Sequence, residues 1–182
     1  MKSFRTLLVY TASIFAISLA YYFYARNSLP PQREHETFLT EIGEGFGEIA
    51  LWLLLFIYAR TLLKLLFEKG SVADRMVPNM LYQPTQSLIQ KLLVPLNRTH
   101  VYVGVATLAV TFLHILLVGF HFEILLFQVV MLLLVWQGLF GFFLRWKFSP
   151  RQLRQFSYLV HAQFLTGIMI GIFSYVGHQM LD

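Results

Sequence analysis

Cysteine is absent from the 182 residues. That excludes disulfides, zinc–thiolate sites, iron–sulfur clusters and thiol catalysis. Charge is scarce as well: Asp, Glu, Lys and Arg make up 13% of the chain, against roughly 25% in a soluble domain. No GxGxxG, P-loop or GxSxG pattern occurs, so nothing points to dinucleotides, phosphates or acyl transfer. What fills the chain is apolar. Hydrophobic residues reach 57% and the mean hydropathy is +0.63. This composition excludes both a soluble globular domain and a disordered one.

A membrane span needs about 20 mainly apolar residues. Residues 6–24, 101–120, 124–144 and 156–177 meet that standard. A fifth apolar core at 49–59 is short and extends to 42–66, with its charges near the two interfaces or paired inside the bundle. The expected fold is all-α, a bundle of five transmembrane helices forming one domain over 1–182. Lys2 and Arg5 imitate the basic start of a signal peptide, but the apolar stretch behind them is too long. Segment 1 therefore reads as a retained helix.

With the N-terminus inside, twelve of the fourteen basic residues fall on inner segments and only Arg26 and Arg33 on outer ones. Seven of the nine acids fall outside, so the inner side carries +10 and the outer −5. This is the positive-inside pattern, and it predicts an N-in, C-out protein of the cytoplasmic membrane. The overall charge of +5 is thus a topology signal; the partner is the bilayer and not nucleic acid. The tight turn at 121–123 makes spans three and four antiparallel neighbours. The inner loop, 68–99, holds turn formers (Pro78, Asn79, Pro84, Pro95). Within it, Leu88, Ile89, Leu92 and Leu93 recur at helical spacing, which reads as a surface helix or a piece covering the bundle end.

Six histidines stand out: His35, His100, His114, His121, His161 and His178. An ionisable group within a span is costly and marks a functional site by default. Spans three and five both run from inside to outside, so each offers one histidine per level: His100 and His161 inner, His114 and His178 outer. His100 and His114 are about 21 Å apart along a helix and within about 40° of one face. Two ligands stacked this way suit two haems edge-on between helices, each iron taking one imidazole from each helix. His161 and His178 are about 25 Å apart and roughly 100° out of phase in an ideal helix. A kink or bulge at Gly167, Gly171 or Gly177 would restore the phase. His121, seven residues after His114 on the same face, rivals His178 as the outer ligand. His35 reads as a solvated loop residue. Simple hydrogen bonding between helices is the plain alternative for any one of these histidines.

Other residues fit the same site. Gly104 lies one turn after His100, Gly43, Gly45 and Gly47 cluster on span two, and Gly138 and Gly141 lie on span four. Glycine admits close approach of a flat macrocycle, as it admits ordinary helix packing. Arg60, Arg98 and Arg145 stand at inner span ends, suited to haem propionates and equally to the positive-inside rule. Glu44 and Glu48, one turn apart, suit pairing with Arg33, proton handling, a quinone headgroup or snorkelling to water. Two other classes stay open: a membrane anchor or assembly subunit without haem, and a metal- or proton-handling transporter using these acids.

The run Arg98-Thr99-His100-Val101-Tyr102-Val103-Gly104, followed by Leu113-His114, resembles a b-type cytochrome helix. Gln137-Gly138-Leu139-Phe140-Gly141 and Pro150 are similar to small bacterial di-haem cytochromes b. The layout from 42 to 177 resembles the ferric-reductase and NADPH-oxidase membrane domain. That resemblance implies two haem b groups held by two histidines on each of two helices, here His100 with His161 and His114 with His178, with Arg98 and Gly104 beside them. It also implies electron transfer with a redox partner protein or quinol, as the haem subunit of a transmembrane oxidoreductase, in a homo- or hetero-oligomer. The sequence departs from the family in the wide spacing of His161 and His178, in lacking a visible sixth span, and in having no flavin or nicotinamide domain after the bundle.

Overall fold

The computed structural model describes residues 2–28, 37–67 and 79–181. Its described residues form helices joined by short turns and irregular connections, without strands. In chain order the helices are α1 (Lys2–Ser28), α2 (Phe38–Phe67), α3 (Asn79–Val118), α4 (Leu125–Arg145), α5 (Arg151–His161) and α6 (Phe164–His178). Four stretches are long and apolar enough to cross a membrane: Leu8–Ser28, Phe38–Lys64, Leu88–Val118 and Leu125–Arg145. α5 and α6 pass the same test together as one span bent by 49°. The chain is a multi-pass helical membrane protein. Large apolar side chains face outward, with Trp52 70% and Tyr102 74% exposed, a surface suited to lipid and not to water.

α3 changes the reading of the inner loop. The surface helix expected within 68–99 is continuous with the third span, forming one helix of 40 residues. Pro84 and Pro95 lie inside it and do not end it. A proline in a helix removes one backbone donor. The acceptor freed by Pro95 is the Lys91 carbonyl, one turn earlier; one turn later the Thr99 Oγ1 donates to the Pro95 carbonyl at 2.9 Å. The helix ends at Gly119, whose φ of 101° is the left-handed value of a helix-terminating glycine. Its N–H donates to the Ile115 carbonyl at 2.9 Å.

Two groups of helices form the bundle. α2 and α3 pack closely along their length. They are antiparallel: Gly43 meets Leu117 and Val118 at one end, and Arg60 bonds Asn97 at the other. The second group is α1, α4, α5 and α6. Its core is the α4–α6 seam of Leu126, Val130, Leu134, Ile170, Phe173 and Val176, closed by Ile124 and backed by Ile14 and Tyr21 of α1. The Tyr21 hydroxyl also accepts from the Leu125 N–H at 3.1 Å, tying α1 to the start of α4. Between the groups packing is slight, limited mainly to α2 with α6 and α3 with α4. Spans three and four are joined by a short turn, yet the principal neighbour of α3 is α2, not α4.

The kink expected at the span-five glycines lies elsewhere. The helix breaks at Ala162 and Gln163, immediately after His161. Gln163 takes an extended conformation (φ −75°, ψ 112°), which interrupts the ladder without glycine or proline. Polar α5 and apolar α6 meet at this point.

Candidate histidine pairs between the helix groups

The slot between the two groups contains four histidines. His100 on α3 faces His161 at the end of α5, with ring centroids 5.9 Å apart and planes at 74°. His114 on α3 faces His178 at the end of α6, at 6.0 Å and 30°. α3 and the α5–α6 pair scarcely approach one another through their backbones. The side chains therefore meet across a space that the main chains leave open.

The separation has a chemical meaning. A metal–imidazole bond is about 2.0–2.1 Å, and the bonded nitrogen is about 1.1 Å from its ring centroid. Two imidazoles holding one metal from opposite sides would have centroids about 6.2–6.4 Å apart. Both pairs lie slightly inside that distance, at a separation that ordinary ring contacts also show. Among the described residues no group of three or more His, Asp or Glu side chains gathers as a metal site. Each pair brings together two imidazoles from different helices.

Three of the four rings are oriented by backbone carbonyls. His114 Nδ1–H donates to the Gly43 carbonyl at 2.8 Å, and His161 Nδ1–H to the Gln137 carbonyl at 3.0 Å. His178 Nδ1–H donates to the Ser174 carbonyl of its own helix at 2.7 Å. A carbonyl only accepts, so each bond places the proton on Nδ1 and leaves Nε2 with its lone pair. That is the tautomer an iron ligand needs. His100 Nδ1 is buried without a hydrogen-bond partner among the described residues.

The surroundings divide the remaining candidates. Arg60, half-buried, donates from Nε to Asn97 Oδ1 at 2.5 Å. It is close enough for its charge to act on both His100 and His161, and Lys64 acts on His100. Arg98 and Arg145 are exposed. A Cβ at Gly104 or Gly171 would meet nothing within 4 Å, so each leaves open space on the helices that carry His100, His114 and His178. His121 neighbours Phe127, with centroids 6.4 Å apart, and Phe127 in turn lies 5.0 Å from His178. His121 lines the cleft beside the second pair with Thr111, Met131 and Ser174. Glu44 and Glu48 are exposed on α2 and belong to neither pair. His35 and Arg33 lie outside the described residues.

Sequence reasoning missed the roles of Gly47 and Gly141. A Cβ on Gly47 would stand 2.9 Å from the His114 ring, and one on Gly141 3.0 Å from the His161 ring. These glycines make room for imidazoles. The signal was present as the four-residue spacing of Gly43 with Gly47 and of Gln137 with Gly141. No family model, curated protein or solved structure matches this chain.

Proposed function

We propose that the chain is a b-type membrane cytochrome that carries electrons across the bilayer through two haems, each held by two histidines. His100 and His161 hold one group, and His114 and His178 the other. The observation that carries this reading is the pair of ring separations, 5.9 and 6.0 Å, on helices that otherwise barely meet. When bound, haem supplies a one-electron iron couple, and two imidazole ligands leave its iron without an open position for oxygen.

The chain's residues bind and orient. Gly43 and Gln137 carbonyls hold Nδ1 protons and present Nε2. Arg60, with Lys64 near, offers positive charge beside the first pair, suited to carboxylate groups of a bound macrocycle. The outward apolar faces of α1–α4 suit a lipid surrounding. The charge distribution of the sequence supports an N-in, C-out orientation in the cytoplasmic membrane. Electrons are exchanged with a redox partner protein or quinol at the two surfaces.

The test is a reduced-minus-oxidised spectrum of the detergent-purified protein with haem quantification. The expected result is b-type absorption and about two haems per chain, as two bis-imidazole sites require. A purified, folded chain without haem would overturn the proposal.

A further inference from the structure

The two imidazoles that reach across to another helix are received by the same backbone arrangement. His114 bonds to the carbonyl of Gly43, and the residue one turn on is Gly47. His161 bonds to the carbonyl of Gln137, and the residue one turn on is Gly141. Both carbonyls lie inside regular helices, where each already accepts from its own i+4 N–H. A second donor must approach past the side chain of residue i+4, since Cβ atoms tilt toward the helix N-terminus and stand over that carbonyl.

This protein shows how that side chain covers the carbonyl. The hydroxyls of Ser13, Ser18, Thr107 and Ser157 each bond the carbonyl four residues earlier, at 2.7–2.8 Å. Where a histidine from a neighbouring helix takes that place, the i+4 residue is glycine both times. We infer that Gly47 and Gly141 are positioning residues: each opens one helix carbonyl to a histidine of another helix, and so sets the tautomer and ring plane of one iron ligand in each pair. The inference rests on the haem reading for the word ligand. The geometry of the rings stands apart from it.

The device operates once per pair. His178 uses a carbonyl of its own helix, and His100 Nδ1 has no partner among the described residues. Each site therefore has one ring held from a second helix. Gly45, between the two α2 glycines of the first notch, has nothing within 4 Å of its would-be Cβ. It serves as a control on the same helix.

The test compares Gly47→Ala, Gly141→Ala and Gly45→Ala. Alanine favours helix over glycine, and the atoms it meets at 47 and 141 belong to a movable ring, so the bundle stays folded. In haem-free protein labelled with nitrogen-15 histidine, wild type and G45A hold His114 and His161 as Nδ1–H tautomers. G47A loses that signature at His114 alone, and G141A at His161 alone. In haem-loaded protein, G141A shifts the low-spin paramagnetic resonance of one haem and weakens its retention about 10- to 100-fold, as loss of an outer partner does. G47A does the same to the other haem only. If G47A and G141A match G45A in both readouts, the glycines do not position the rings, even where two haems bind. If wild type binds no haem, the cytochrome reading falls, and the tautomer measurement still decides what the glycines do to the rings.

Discussion

Removing one histidine tests the pairing most directly. His100 and His114 are fourteen residues apart on α3, about 21 Å along the axis. Sites that far apart, sharing no side chain, respond independently to mutation. If each pair holds one haem, as proposed, its two histidines come from different helices, and His→Ala at either member removes six-coordination from one haem and leaves the other intact. Low-spin haem then falls from two per chain to about one in each of the four single variants. The double variants carry the discriminating arithmetic. H100A/H161A removes both ligands of one site and retains about one low-spin haem, no worse than either single. H100A/H114A takes one ligand from each site and retains none. Charge coupling between the sites is small: two unit charges 21 Å apart at an effective dielectric constant near 20 interact by about 0.8 kcal/mol. The surviving haem therefore shifts its midpoint by no more than about 35 mV, since 59 mV is a tenfold change for one electron. The assay is low-spin quantification by paramagnetic resonance with a redox titration. Complete loss of low-spin haem in H100A/H161A, or retention of one in H100A/H114A, would refute the assignment.

His121→Ala leaves both low-spin haems in place, because His178 and not His121 faces His114 at 6.0 Å; loss of one haem in H121A would reverse that assignment. Gly167→Ala destabilises the bundle by about 1–3 kcal/mol, the usual range for overpacking, because its Cβ would run into the Tyr58 ring. Thermal unfolding in detergent reads the loss, and the double variant with Tyr58→Ala regains part of it; an unchanged midpoint in G167A shows that α2 and α6 do not meet there. A chain without cysteine accepts single reporters cleanly. Phe122→Cys (Phe122 is 69% exposed) and Phe148→Cys (77%) lie at opposite ends of α4, so an impermeant thiol reagent on intact cells labels F122C alone if the C-terminus is outside, and F148C alone if the chain is inverted.

Much of this architecture was legible because lipid imposes simple demands. Apolar runs separated by charges give the helices, and two parallel helices put His100 level with His161 and His114 level with His178. What was not legible depends on how helices rotate and meet. Pro84 and Pro95 read as turn formers, but α3 runs through both, with its lower half bearing Leu88, Ile89, Leu92 and Leu93 at an unbroken helical period. The glycines read as room for a flat macrocycle or for ordinary helix packing. In the structure Gly47 and Gly141 meet imidazoles, Gly43 meets Val118, Gly138 meets Leu108, and Gly104 meets nothing within 4 Å. Which of these a glycine faces is set by the neighbouring helix, and the sequence of one helix does not contain it.

The break after His161 joins these observations. On α3, His100 and His114 share a face without distortion, because fourteen residues nearly close a whole number of turns. On the partner span, seventeen residues separate His161 from His178, which in one straight helix would point them about 100° apart. Both could not face the same slot. The 49° bend at Ala162–Gln163 separates the two histidines onto different helices, one ending α5 and one ending α6. Each helix can then adopt its own rotation. α5 brings His161 against Gln137 and Gly141 of α4. α6 packs Ile170, Phe173 and Val176 into the α4 seam and carries His178 to His114. The bend thus reconciles α3, whose two histidines share a face, with a span whose spacing does not match it, and the extended Gln163 backbone is where that mismatch is taken up.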